Sequence, residues 1–241
     1  MERIDKLIAS QGTLSRNDVK KLIREGLVTC NGAAVSSGAQ KIDPQNDSLA
    51  LGGKPLTLSS HIYLMLNKPK NVVSSTETGG QATVMDLVPE EFFRGGLFPA
   101  GRLDKDTTGF VLITDDGAFA HSILSPKRHV PKTYEVTVPE PLTQAEIQEI
   151  KEGLTVGATR FRPAELRFLH AGGEGQTYEI VLHEGKYHQI KRMFARFKKE
   201  VIALHRTKIG ALPLDASLAP GECRPLSQAE TALLQQEQPL P

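Results

Sequence analysis

The 241-residue chain has no tryptophan, two cysteines, and aromatic side chains at only 5% of its positions. Cys30 and Cys223 lie far apart in sequence and in no metal-ligand spacing, so a reducing, cytoplasmic setting is expected. No apolar run approaches the roughly 20 residues that a bilayer span requires, so no membrane partner is expected. The opening Met1-Glu-Arg-Ile-Asp-Lys6 carries acids and leads into no long apolar stretch, which argues against a signal peptide. P-loop, dinucleotide fingerprint, internal repeat and convincing metal cluster are all missing. A formal net charge of +1 predicts nothing by itself about nucleic acid. What remains, 39% hydrophobic and 24% charged residues, describes a soluble globular protein with material for a real core. The length suits one large domain, or a large one with a small one.

The distribution of charge says more than its sum. Between Lys186 and Lys208 eight Lys/Arg face a single acid, Glu200, whereas from Leu212 onward one Arg stands with four acids. That asymmetry concentrates positive potential in one region and suits a polyanion.

At the amino-terminal end, Ile4, Leu7 and Ile8 recur at helical spacing. Ser15 is placed to cap a second helix, with Asp18 favouring its positive end. Val19, Leu22 and Ile23 form its apolar face, Arg16, Lys20, Lys21 and Arg24 its basic one, and Gly26 ends it. Leu27–Cys30 reads as extended, Asn31-Gly32 as a hairpin turn, and Val35 as the start of the return strand. Short strands are expected near 40–42 and 47–51. Gly, Pro and Ser between Gly52 and Ser60 mark a boundary, giving domains at 1–59 and 60–241. A cap packed on the larger domain would also account for such a module.

The larger part is organised around Gly101-Arg-Leu-Asp-Lys-Asp-Thr-Thr-Gly109, an acidic turn feeding the apolar run Phe110–Ile113, which Asp115-Asp116-Gly117 closes. On spacing alone an acidic hairpin turn explains these residues better than a reactive site does. Ile62–Asn67 reads as a buried strand that Lys68-Pro69-Lys70 ends. A helix around 118–124 and a basic loop, Ser125–Lys132, precede an alternating strand at 134–138. Thr143 and Glu146 sign a capping box for a helix ending before Gly153. Strands are expected at 154–170 and 177–182 around a loose turn at 171–175. Then comes Glu184-Gly-Lys-Tyr-His-Gln-Ile-Lys-Arg-Met-Phe-Ala-Arg-Phe197, a turn followed by a helix with Ile190, Met193, Phe194 and Phe197 on its apolar side.

Several of these stretches carry a resemblance. Gly101-Arg-Leu-Asp104 with Thr107-Thr108-Gly109 and an apolar strand resembles the signature of the pseudouridine synthases, and Thr114-Asp-Asp-Gly117 is similar to their small-subunit ribosomal branch. Asn67-Lys-Pro, Lys132-Thr-Tyr134, His188-Gln-Ile-Lys-Arg-Met193, Leu204–Gly210 and Leu218–Leu226 match further family segments. Arg3-Ile-Asp-Lys-Leu-Ile8, Ser15-Arg16 and Val28-x-x-Asn31-Gly32 resemble the S4 RNA-binding module. The resemblance implies an α+β protein: a small S4 module, then a catalytic domain with a long, mainly antiparallel mixed sheet.

It also implies roles. Asp104 would be the catalytic carboxylate, Tyr134 would lie beside the flipped base, and Lys191 would pair with Asp104, a point charge where many relatives carry the fork of an arginine. Phosphate contacts would come from Arg3, Arg16, Lys20, Lys21, Arg24, Arg102, Lys127, Arg128, Lys132, Arg192 and Arg196, with His188 shaping its loop beside them. The implied reaction converts uridine to pseudouridine in 16S rRNA, by family expectation at uridine 516, on free rRNA or a small-subunit assembly intermediate. Isomerisation oxidises nothing and releases no group, so neither cofactor nor metal is expected, and a monomer suffices. Two alternatives stay open: a large-subunit (23S) rRNA synthase of the same family, and a non-catalytic RNA-binding or assembly protein.

Overall fold

The computed structural model describes residues 1–236 apart from 10, 12, 13, 45, 57–60, 126, 127 and 129. Lys127 and the Ser59-Ser60 end of the expected boundary therefore lie outside the described residues. The chain forms two compact units, Met1–Ile62 with Val88–Leu97 and Tyr63–Leu87 with Phe98–Pro241.

The first unit opens with β1 (Glu2–Arg3), α1 (Ile4–Ala9) and α2 (Arg16–Arg24). Ser15 caps α2 reciprocally: its Oγ accepts from the Asp18 amide at 3.2 Å while its own amide donates to Asp18 Oδ2 at 3.0 Å, satisfying two otherwise orphaned donors. β2 (Val28–Cys30), β3 (Ala33–Ala34), β4 (Lys41–Ile42), β5 (Leu49–Leu51) and β6 (Lys54–Leu56) follow. Asn31 and Gly32 turn the β2–β3 hairpin with φ of 51° and 81°, the positive values a tight turn of matching twist needs. The return strand is Ala33–Ala34, so it starts ahead of Val35. Gly52 and Gly53, the first residues of the expected boundary stretch, turn the β5–β6 hairpin of a sheet ordered β3-β2-β5-β6. Ile4, Leu7, Ile8, Val19, Ile23 and Val28 share one core.

The second unit contains β7 (Tyr63–Lys68), β8 (Phe98–Ala100), β9 (Thr108–Thr114), α3 (Gly117–Leu124), β10 (Lys132–Val138), α4 (Gln144–Glu152), β11 (Thr155–Val156) and β12 (Thr159–Arg160). β13 (Glu165–Gly172), β14 (Gly175–Leu182), α5 (Gln189–Ala195), β15 (Ala203–Ile209), β16 (Leu212–Pro213), β17 (Cys223–Pro225) and α6 (Gln228–Leu233) complete it. Its main sheet runs β13-β14-β10-β15-β9-β7-β17. Along that path every pair is antiparallel except β15–β9, which is parallel. This is the α+β, mainly antiparallel architecture expected from sequence.

Phe110–Ile113 are fully buried because β9 is central, flanked by β7 and β15. Val136, Ile180, Met193 and Phe194 pack in one core, and Met65, Phe110, Ile123 and Ile209 in another. Asp116, in the acidic turn after β9, caps α3: its Oδ1 accepts from the Phe119 amide at 2.9 Å, its Oδ2 from the Tyr63 hydroxyl at 2.7 Å. The strand expected over 154–170 is not continuous. Gly157, at φ 60°, turns the small β11–β12 hairpin, and Pro163, which has no amide hydrogen to donate, separates it from β13.

Candidate active site

The site is built where the parallel pair joins the two halves of the sheet. Gly109 lies in register with Arg206, at φ +100°, and a Cβ there would sit 2.3 Å from the Arg206 carbonyl oxygen. Only glycine allows that approach, and it brings the turn before β9 against β15. The turn is closed by the Thr107 amide donating to the Asp104 carbonyl at 3.1 Å, and the Leu103 amide donates to Ser74 Oγ at 3.1 Å. Asp104 thereby presents a carboxylate that is 30% exposed.

The opposing wall follows β14. Glu184 is buried; its Oε1 accepts from the Arg162 amide at 2.9 Å and from Gln189 Nε2 at 2.8 Å, while Gln189 Oε1 accepts from the Lys186 amide at 3.0 Å. This framework holds His188 in a left-handed conformation, φ 48° and ψ 37°, and sets the direction of α5. His188 Nε2 comes to 3.4 Å from Asp104 Oδ1. Lys191, in the first turn of α5, reaches Asp104 Oδ2 at 3.1 Å and Asp106 Oδ1 at 2.5 Å. Partial burial works against the Lys191 ammonium, but the bonds from Asp106 and Asp104 outweigh it and hold its pKa above the ordinary lysine value. Asp106 is held below the usual carboxylate range, chiefly by the bond from Lys191. The expected Asp104–Lys191 pair is present as geometry, with Asp106 as a partner that sequence did not anticipate.

Tyr134, on β10, lines the same space. An inner hollow of about 110 Å3 is bordered by Asp104, Tyr134, His188 and Lys191. An outer cleft of about 790 Å3, bordered by Asp104, Tyr134, Arg102, Tyr187 and Arg206, falls within the ~300–1,000 Å3 of typical small-molecule sites.

Beneath this space lie three buried cations. Arg206 donates from Nη2 to the Gly101 carbonyl at 2.6 Å, from Nε to the Phe110 carbonyl at 2.7 Å and from Nη1 to the Tyr134 hydroxyl at 3.4 Å. Lys68 Nζ donates to the carbonyls of Thr107, Pro69 and Lys105 at 2.8, 3.0 and 3.3 Å. Burial pushes it down to about 8, against the pull of Asp106 and Asp104. Lys132 Nζ donates to the carbonyls of Val130 and Ile123 at 2.8 and 3.1 Å, and burial, with Arg206 adding to it, also pushes it down to about 8. Among the described residues none of the three pairs with a carboxylate, so carbonyl dipoles satisfy them and their positive charge biases the cleft toward an anion.

Sequence reasoning missed Arg206 and gave Lys68 no role. Arg206 lay within the basic run, but its strand position held a clue. Period-two alternation puts it on the same face as Leu204, and both are buried.

The expected phosphate contacts divide. Arg102 and Arg128 are exposed. Lys132 is a correction, since its ammonium turns inward to carbonyls. Arg192, partly buried, donates to Thr159 Oγ1 at 2.9 Å and lies 5.1 Å from the Phe161 ring centre, bracing the β11–β12 hairpin. Arg196 pairs with Glu149 at 3.7 Å. In the first unit Lys20, Lys21 and Arg24 are exposed on α2. Arg3 and Arg16, also exposed, converge on Asp5, at 2.8 and 3.2 Å; that carboxylate is fully buried, and Arg3 above all holds it well below the usual range. Arg3, Lys20 and Arg24 border a groove of about 510 Å3 with Ser36, Ser37 and Gly38. Among the described residues no group of three or more His, Cys, Asp or Glu is placed to hold a metal ion, and no helix is long and apolar enough to cross a membrane.

Known proteins resemble this chain over nearly its whole length. Residues 62–196 match the RNA pseudouridylate synthase family model, and residues 2–47 match the S4 domain model. An uncharacterized RNA pseudouridine synthase of Bacillus subtilis is 40% identical over 98% of this chain and 99% of its own length. The ribosomal small subunit pseudouridine synthase A of Pasteurella multocida is 42% identical over 95% of this chain and 98% of its own. Its Escherichia coli namesake is 40% identical over the same shares. A crystal structure of a pseudouridylate synthase superimposes with a TM-score of 0.66 at 39% identity, covering 97% of this chain and all of the other.

Proposed function

The chain belongs to the RNA pseudouridylate synthase family, and on that premise we propose that it isomerises one uridine of small-subunit ribosomal RNA, uridine 516 of 16S rRNA, with Asp104 as the catalytic carboxylate. The observation that carries this reading is the placing of Asp104: on a rigid turn at the cleft, 3.1 Å from the Lys191 ammonium, with Tyr134 lining the same inner hollow.

The reaction breaks the bond from uracil N1 to ribose C1′, turns the base and joins C5 to C1′; the C5 proton departs and N1 gains one. A carboxylate can begin it by attacking C1′ or by removing the C2′ proton to give a glycal. Both routes place the same demand on Asp104, and Lys191 supplies a neighbouring cation for its charged form. Extruding the uridine costs a few kcal/mol, and a base stacked on Tyr134 recovers about 1–3 kcal/mol. The buried cations Lys68, Lys132 and Arg206 attract the RNA backbone toward the cleft without touching it.

Residues 1–59 act as the S4 RNA-binding domain through Lys20, Lys21 and Arg24, and residues 60–241 carry the chemistry. Every group in this scheme comes from one chain, which supports action as a monomer, and an rRNA substrate supports action in the cytoplasm. The test is single-nucleotide pseudouridine mapping of rRNA from a strain lacking the gene, with and without complementation. Loss and return of pseudouridine at position 516 is expected. A change confined to large-subunit rRNA, or no change, would overturn the assignment.

A further inference from the structure

Tyr187 has no part in the scheme above, yet among the described residues it is the most exposed large hydrophobic side chain of the catalytic unit, at 77%. It lies in the outer cleft with Asp104 and the exposed Arg102. One face of its ring stacks on His188, with centroids 3.7 Å apart and planes at 19°, and the exposure leaves the opposite face open to solvent. His188 in turn lies 3.4 Å from Asp104. The support is fixed from below, because the Glu184–Gln189 bonds hold the turn that carries both rings. A flat aromatic face, open on one side and rigid on the other, is built to take another flat ring. In a cleft backed by buried cations, with Arg102 at its rim, a nucleobase whose phosphate meets a cation is the ring that fits.

We propose that Tyr187 is a stacking platform for the nucleobase adjoining the target uridine, a second base subsite beside the one lined by Tyr134. The proposal rests on the synthase reading. Extruding one uridine breaks its stacking with both neighbours, and a platform about one residue from the His188–Asp104 contact gives one of those neighbours a replacement surface. Stacking of this kind tolerates sequence changes, because every base has a π-face. Tyr187 therefore contributes grip and register on the strand and does not read base identity.

The test uses the full chain in single-turnover reactions on the rRNA segment in which the wild type makes pseudouridine. Variants Tyr187→Ala, Tyr187→Phe and Tyr187→Trp are compared on that RNA and on versions with an abasic nucleotide at the preceding or the following position. Tyr187→Ala is expected to raise the half-saturating RNA concentration roughly 5- to 150-fold, the effect of removing one base–aromatic stack. Tyr187→Phe and Tyr187→Trp should restore binding, since the ring and not the hydroxyl is needed. One of the two abasic RNAs should weaken wild-type binding to a similar degree and cost Tyr187→Ala nothing further. An Ala variant that equals an active wild type overturns the proposal alone. So does an Ala defect that persists undiminished on both abasic RNAs, for Tyr187 would then only prop His188. A wild type inactive on every rRNA segment overturns the synthase reading itself.

Discussion

Arg206 Nη2 donates to the main-chain oxygen of Gly101 at 2.6 Å, so a buried cation on β15 anchors the start of the turn that carries Asp104. Its Nη1 reaches the hydroxyl of Tyr134 at 3.4 Å, which ties the carboxylate turn and the aromatic to one guanidinium. Small displacements at a reacting centre cost on the order of 10²-fold in rate. Arg206→Met should lower kcat by about that factor, with Arg206→Lys intermediate because an ammonium cannot span three acceptors in a plane. Kinetics at a temperature where circular dichroism shows the variants folded decide the point. A kcat loss that merely tracks the unfolded fraction would make Arg206 a packing residue.

Lys191 is shared between two carboxylates, and they differ in exposure, 30% for Asp104 and 68% for Asp106. The shielded pairing should matter for chemistry and the exposed one little. Lys191→Met is expected to lose on the order of 10²-fold in kcat, while Lys191→Arg retains most activity. Asp106→Asn should stay within about fivefold of wild type, the ceiling for a surface pair worth up to ~1 kcal/mol. Equal rates for Lys191→Met and Lys191→Arg would remove the ion pair from the reaction.

Much of this was legible in the sequence wherever the deciding interaction spans a few residues. The Ser15 cap, the capping box at Thr143–Glu146, the Asn31-Gly32 turn and the acidic turn around Asp104 are local devices, and the structure contains each of them. Part of what escaped depends on partners distant in the chain. Arg206 meets Gly109 only through the parallel β9–β15 pairing, and nothing near either residue announces it. Lys132 reads as a phosphate ligand because its loop is basic; of the two carbonyls that hold it, that of Val130 is local, and that of Ile123 comes from the end of α3. Asp5, an ordinary acid in a helical stretch, turned out to hold Arg3 and Arg16.

That last pairing gives Arg3 and Arg16 a structural partner as well. Lys20, Lys21 and Arg24 are exposed on α2, whereas Arg16 is engaged with buried Asp5. Neutralising the three should weaken rRNA binding and lower the salt slope by up to about 0.9 for each duplex phosphate left without its cation. Single-turnover rates at saturating RNA should survive. Arg16→Ala should instead lower thermal stability, because it strips a partner from a buried carboxylate. An unchanged salt slope in the triple variant would remove that face from RNA binding.

A different ion cluster joins the segment after β16 to α6. Arg224 joins Glu230 at 2.7 Å and Asp215 at 2.6 Å. Glu230 is lowered to about 2, chiefly by the bond from Arg224; Asp215 is lowered to about 2 by Ser217 first and Arg224 after it. A carboxylate with a depressed folded-state pKa stabilises above its unfolded value and loses that contribution as pH falls through the folded one. Arg224→Met should therefore melt below the wild type at pH 6, with the gap closing between about pH 4.5 and pH 2. A gap that stays constant down to pH 2 would show that Arg224 acts through packing alone.

The central claim, that the Asp104 carboxylate drives the isomerisation, is tested most directly by tritium release from rRNA labelled at uracil C5, where the new C5–C1′ bond displaces the label. Asp104→Asn keeps the size of the side chain and removes its charge. It should release no tritium above background while its melting temperature and RNA affinity stay close to wild type. Release within about tenfold of the wild-type rate, far above what loss of a catalytic nucleophile or base allows, would contradict the account.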